Sequence, residues 1–125
     1  KLAAENHCCV LVDCLTVYLA RFIPLDLPQD RPGGMEVIDV VDKDVRREVA
    51  DVIKAIRETD TDFIEVSNEV GDGLVPPYPA GRLFRDMVGC GNQLMVEEAD
   101  FAYLVETGIP LDLKALRATQ MPWEV

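Results

Sequence analysis

Histidine, aromatic side chains and positive charge are all scarce in this 125-residue chain. There is one histidine, His7, and Phe, Trp and Tyr together make up 6%. His7 has no acid at catalytic spacing, so it reads as a surface or strand-start residue. So few aromatics leave the core to Val, Leu, Ile and Ala. Lys and Arg number 12 against 23 acids, a net charge of −11. That excludes the clustered basic surface a nucleic-acid binder needs. It leaves room for a mononucleotide, which backbone N–H groups, a helix end and Mg²⁺ can hold. The four cysteines, Cys8, Cys9, Cys14 and Cys90, form no C-x-x-C pair. With one histidine they make no zinc site. No apolar run approaches the roughly 18 residues of a membrane span, and no signal-peptide pattern is present. Three cysteines lie in or beside one apolar run, as small buried thiols do. The expectation is a reduced, cytoplasmic protein. Lys1 is not a methionine, so an upstream segment is expected.

What is present is a core. Hydrophobic residues make up 49%, enough for one domain at this length. Cys8-Cys9-Val10-Leu11-Val12-Asp13 is a short continuous apolar run, expected to be a strand buried on both faces. Thr16 is the expected cap of a helix over residues 17–23. Residues 24–34 hold three prolines and two glycines and read as a flexible loop. Asp42 or Asp44 opens the next expected helix, with Val45, Val49, Val52, Ile53 and Ile56 on one face. Its charged face, including Arg46, Arg47 and Glu48, reads as solvated. A strand over residues 63–67, a helix over 80–98 and a strand over 101–105 follow, then a turn at Thr107-Gly108 and a short edge strand or tail at 111–114. Helices between strands give an α/β fold with a mostly parallel sheet.

Chemistry concentrates where the second strand stops. Phe63-Ile64-Glu65-Val66-Ser67 runs into Asn68-Glu69-Val70-Gly71-Asp72-Gly73. In open α/β sheets ligands bind at the carboxyl ends of strands. Asn68 and Glu69 are placed to position a nucleophile, a water or a metal-bound phosphate; the plainer alternative is a turn bonded to its own backbone. Asp13 ends the first strand, either as a Walker-B-like acid holding Mg²⁺ or nucleotide, or as a helix cap. On the third helix Arg85, Gly89 and Asn92 share a face. Gly89 marks close packing or ligand approach, or the face is plain surface carrying an Arg82–Asp86 pair. Trp123 reads as a packing or tail residue.

Four blocks in order resemble the bifunctional adenosylcobinamide kinase / adenosylcobinamide-phosphate guanylyltransferase family, the CobU/CobP type of cobalamin biosynthesis. They are Val10-Leu11-Val12-Asp13-Cys14-Leu15-Thr16, the run from Ser67 to Pro76, Arg82-Leu83-Phe84-Arg85-Asp86-Met87-Val88-Gly89-Cys90-Gly91-Asn92-Gln93, and Ala99-Asp100-Phe101-Ala102-Tyr103-Leu104 with Gly108-Ile109-Pro110-Leu111 and Lys114. The resemblance spans residues 10–114. It implies a P-loop NTPase, RecA-like three-layer α/β fold and a homotrimer. It implies phosphorylation of adenosylcobinamide with ATP or GTP, then GMP transfer from GTP through a guanylylated histidine. By resemblance Asp13 contacts the guanine nucleotide and its Mg²⁺. Asn68, Glu69 and Gly71 form the loop facing the phosphates. Arg85, Gly89 and Asn92 support that loop or a neighbouring subunit.

The departures are as informative. The family opens with G-x-x-x-x-G-K-[ST], whose backbone cradle and lysine bind triphosphate. No such motif occurs here, so the N-terminal strand and phosphate loop are missing from these residues. The family's histidine lies farther upstream of the Asp13 strand than His7 does. The chain therefore reads as a single incomplete domain, the C-terminal two-thirds of such an enzyme, inactive alone, with residues 115–125 an extension. Arg21 stands where the family usually has Asn, and Gly91 where it has an apolar residue. Gly89 and Gly91 within one helix predict a weaker helix. An unpaired strand edge predicts aggregation of the isolated chain. The alternatives are a non-catalytic nucleotide- or corrinoid-binding module derived from that fold, and a fragment of another P-loop-like NTPase.

Overall fold

β-Branched and apolar residues at the start of the described chain form β1 (Cys9–Asp13), which pairs in parallel with β2 (Asp62–Val66). The register sets Val10 against Phe63, Val12 against Glu65 and Asp13 against Val66. A computed structural model describes residues 9–24, 27 and 34–118. Between the strands lie α1 (Leu15–Ala20) and α2 (Gly34–Arg57); α3 (Pro79–Glu98), β3 (Tyr103–Glu106) and β4 (Ile109–Asp112) follow. The architecture is α/β with a small parallel sheet. His7, Cys8 and Trp123 lie outside the described residues, as does most of the expected loop at 24–34 and of the extension at 115–125.

The core sits among the three helices. Leu15, Leu19 and Ile23 meet Val41, Val45 and Val49 of α2 and Leu83 and Met87 of α3. Val37, Val41, Val45, Val49 and Ile53 recur every four residues, so the apolar row of α2 starts well before Asp42. This overturns Asp42 or Asp44 as the helix start. Both are interior, and their carboxylates pair with Arg46 and Arg47 at 2.8 Å each. Helix α3 falls within one residue of expectation and is continuous through both glycines. Gly91 is where α1 crosses it: a Cβ there would stand 2.6 Å from Leu19 Cδ1. Around Gly89 the same atom would meet nothing within 4 Å.

Three further expectations are corrected. β1 is not buried on both faces. Its burial alternates with that of β2, leaving Leu11 63% and Ile64 55% exposed. Among the described residues nothing covers that side. Thr16 does not cap α1. Cys14 occupies the cap position without a side-chain bond, and Thr16 is buried inside the helix. Third, β3 does not extend the parallel sheet. Thr107 and Gly108 have φ of 50° and 83°, the paired positive values of a two-residue type I′ turn, so β3 folds back antiparallel onto β4. The turn at Thr107-Gly108 stands as expected, and the short edge strand or tail expected at 111–114 is a strand, β4, that begins two residues earlier at Ile109. No helix among the described residues is long and apolar enough to cross a membrane.

Candidate nucleotide site

Parallel pairing brings the ends of β1 and β2 side by side, and Asp13 stands there close to the start of the segment Ser67-Asn68-Glu69. Asp13 is exposed at the end of β1. Its carboxylate makes no hydrogen bond or ion pair with the described residues, and it does not cap α1. Among the described residues it is an unpartnered acid at a strand end.

Beyond Val66 the chain meets α1 and α3. Ser67 Oγ lies 3.2 Å from Thr16 Oγ1 and donates to Asn92 Oδ1 at 2.6 Å. The Asn68 amide donates to Thr16 Oγ1 at 2.9 Å, while Asn92 Nδ2 donates to the Asn68 carbonyl at 3.1 Å. The Asn68 side chain is exposed, its Nδ2 4.0 Å from Cys14 Sγ. Glu69 Oε1 accepts from the Gly71 amide at 2.6 Å, the local turn bond that was the plainer alternative for this residue. A Cβ at Gly71 would stand 2.5 Å from Glu69 Oε1, so a side chain there would displace this exposed carboxylate from its turn bond.

Arg85 reaches across from α3 and donates to the carbonyls of Gly71 and Gly73, the latter at 3.3 Å. In a trans peptide the C=O and the following N–H point to opposite edges. Arg85 thus draws two carbonyls toward α3 and turns the N–H groups of Asp72 and Leu74 away from it. Arg82 donates to the Pro76 carbonyl at 3.1 Å, and makes no pair with Asp86. The face carrying Arg85 and Asn92 is therefore the buttress of the loop at 68–73. Gly89, between them on that face, is bordered by open space.

Two participants escaped the sequence reading. Thr16 and Ser67 looked like a cap and a strand residue. Their signal was a threonine at a position of α1 flanked by apolar residues and a serine directly after a strand, in phase with its inward row. Glu65, one inward step before Ser67, is the other surprise. Its Oε2 is buried without a hydrogen-bond partner among the described residues. Burial pushes its carboxyl up from 4.5 to about 7. Cys90 is also raised by burial, as an inert thiol is.

The described residues include no group of three His, Cys, Asp or Glu side chains able to cage a metal. Mg²⁺ does not require one, since it is commonly held by one or two carboxylates together with waters and substrate phosphates. Asp13, exposed at the end of β1, is a carboxylate of the kind such an arrangement uses.

A model of the family described as cobinamide kinase / cobinamide phosphate guanyltransferase matches residues 1–113. The bifunctional adenosylcobalamin biosynthesis protein CobP of Pseudomonas aeruginosa is 31% identical over 111 residues, covering 89% of this chain and 56% of that protein. The corresponding CobU proteins of Escherichia coli and Salmonella typhimurium are 29% and 28% identical over 105 residues, each covering 84% of this chain and 58% of the relative. The chain thus spans a little over half the length of the curated relatives it matches.

Proposed function

The chain belongs to the cobinamide kinase / cobinamide phosphate guanyltransferase family, and from that premise we propose that Asp13 and the loop at 68–73 form one wall of a guanine-nucleotide site. The reaction in view is phosphorylation of adenosylcobinamide followed by transfer of GMP from GTP. The fold in view is a P-loop, RecA-like one, assembled as a homotrimer in the cytoplasm.

The observation that carries the reading is the orientation of the loop. Arg85 holds the carbonyls of Gly71 and Gly73 toward α3. The opposite edge then offers peptide N–H groups, which attract phosphate where carbonyls would repel it. The Asn68 carboxamide is exposed beside Cys14, just past the end of the neighbouring strand. Asp13, at the end of the neighbouring strand, has its carboxylate free to take a cation or the nucleotide. Mg²⁺ held by Asp13 would neutralise part of the phosphate charge when bound. The site needs that, because Glu69 and Asp72 add negative charge to the loop itself. These 125 residues contain no G-x-x-x-x-G-K-[ST] sequence, so the cradle of the phosphate loop is not supplied by them. No turnover of cobinamide with GTP is expected from residues 1–125 alone.

Calorimetry with GTP and Mg²⁺ tests the reading. The chain is expected to release heat on binding, and Asp13→Ala to weaken binding about tenfold, the equivalent of about 1.4 kcal/mol. Absence of binding, or binding indifferent to Asp13→Ala, would overturn it.

A further inference from the structure

The four hydrogen bonds around Asn68 have a direction that can be worked out atom by atom. Asn92 Oδ1 can only accept, so the hydroxyl hydrogen of Ser67 goes to it, at 2.6 Å. Ser67 then has only lone pairs left for Thr16, so the Thr16 hydroxyl donates to Ser67 Oγ at 3.2 Å. Thr16 Oγ1 in turn accepts the Asn68 amide at 2.9 Å. Asn92 Nδ2 returns to the Asn68 carbonyl at 3.1 Å and closes the ring. The carboxamide of Asn92 cannot be turned over, because that would set its oxygen against the Asn68 carbonyl, two acceptors face to face. Each hydroxyl in the ring has one partner to give to and one to receive from, and none is interchangeable.

We propose that Thr16, Ser67 and Asn92 form a directional hydrogen-bond ring that clamps both polar groups of the Asn68 backbone and so fixes the pose of the loop at 68–73. Thr16 and Ser67 are its positioning residues. That this pose serves nucleotide binding rests on the reading above. Three elements meet in the ring: α1 through Thr16, the end of β2 through Ser67, and α3 through Asn92. Thr16 is buried within α1 at 6% exposure, where a hydroxyl without partners would be costly. Its place in the helix interior makes sense as the receiver of the Asn68 amide, and a valine of the same shape would fill the space without receiving anything.

Amide hydrogen exchange on the full chain tests the ring, with calorimetry for GTP and Mg²⁺ on the same samples. Thr16→Val is expected to speed exchange at the Asn68 amide about tenfold, the loss of one net hydrogen bond with its neighbours disturbed. Exchange in the middle of α3 should stay as in the wild type. Thr16→Ser, which keeps the hydroxyl, should restore protection at Asn68. Ser67→Ala should speed exchange there as well, and the double variant Thr16→Val/Ser67→Ala should be no worse than Thr16→Val alone, since one broken ring cannot be broken twice. Should Thr16→Val fail to fold, Ser67→Ala and Thr16→Ser still carry the comparison. Unchanged exchange at Asn68 in both Ser67→Ala and Thr16→Val, or equal acceleration in Thr16→Ser and Thr16→Val, overturns the ring. GTP affinity should fall about tenfold in Thr16→Val and recover in Thr16→Ser. If exchange responds while GTP affinity does not, the link from ring to ligand is overturned and the clamp stands. If the wild type binds no GTP, it is the nucleotide-site reading that fails, and exchange alone decides the ring.

Discussion

Glu65 sits on β2 where the inward row otherwise carries Phe63 and Ser67, with Val12 across the register. A carboxylate there loses water and gains no partner for Oε2. Its folded-state value of about 7 lies above the ordinary 4.5, so the folded chain holds a proton that the unfolded chain has already released. Stability from this group is therefore fully present below about pH 4.5, declines between 4.5 and 7, and stays reduced above. Since the side chain is only half-buried, solvent screening leaves an effect of about 1–2 kcal/mol. Glu65→Gln should remove that slope. Urea melts at pH 5 and pH 8 would check it: the variant should gain on the wild type by that amount at pH 8 and little at pH 5. Equal gains at both pH values would rule the explanation out. Nothing in Phe63-Ile64-Glu65-Val66 as a string separated this acid from an ordinary outward strand residue. Its burial depends on which side of the pleat the helices occupy.

The two glycines of α3 look alike in sequence and differ in the folded helix. Each lowers intrinsic helix stability by about 1 kcal/mol relative to Ala. Gly89 has no neighbour within 4 Å of a would-be Cβ, so Gly89→Ala should raise stability by about that amount. Gly91 is pressed against Leu19, which is fully buried and has nowhere to move, so Gly91→Ala should destabilise by about 1–3 kcal/mol despite the better propensity. Thermal melts of the two variants should move in opposite directions; movement in the same direction would refute the packing argument. The bounds of α3 were readable because prolines precede it and an apolar row at helical spacing runs along it. The start of α2 was not. Asp42 and Asp44 mimic caps, yet each pairs with an arginine three or four residues on. The charged face of α2 was read as plain solvated surface, but Glu48 accepts from Tyr18 Oη at 2.6 Å and from Arg21 at 2.7 Å. Arg21 also stacks over the Tyr18 ring at 4.1 Å. That brace joins α1 to α2 across 27 or more residues, a separation that no local pattern reports.

Over the whole molecule, the apolar surface is unevenly covered. Leu11, Ile64 and Val66 line the outward side of the β1–β2 sheet, and Phe101, Tyr103, Val105 and Ile109 stand exposed at the hairpin. Among the described residues β1 and β2 each keep one unpaired edge. Unpaired edges with apolar side chains seek other strands. Opposing this is a net charge of −11, whose repulsion weakens as salt shortens its range. Sedimentation at micromolar concentration should therefore show self-association that grows with ionic strength, and Ile64→Lys should reduce it. A monomer at high salt that melts sharply and reversibly would contradict this. The α/β order and the meeting of Asn68 with the Asn92 face of α3 were legible because strand ends, glycines and the helix row carry local signatures. The bare sheet side was not, since a run such as Val10-Leu11-Val12 reads the same whether one face or two are covered.

The parallel pairing of β1 with β2 also sets a timetable. Helix α2 closes on contacts four residues apart, and the β3–β4 hairpin closes on a two-residue turn. The ring at Asn68 has no such head start: apart from the Thr16–Ser67 and Asn68–Thr16 links, which span 51 and 52 residues, its bonds span 25 and 24. Closing loops of that length must wait for the intervening helices to shorten the path. The loop at 68–73 is thus a late arrival in folding, and a newly made chain has its helices well before this loop is held in place.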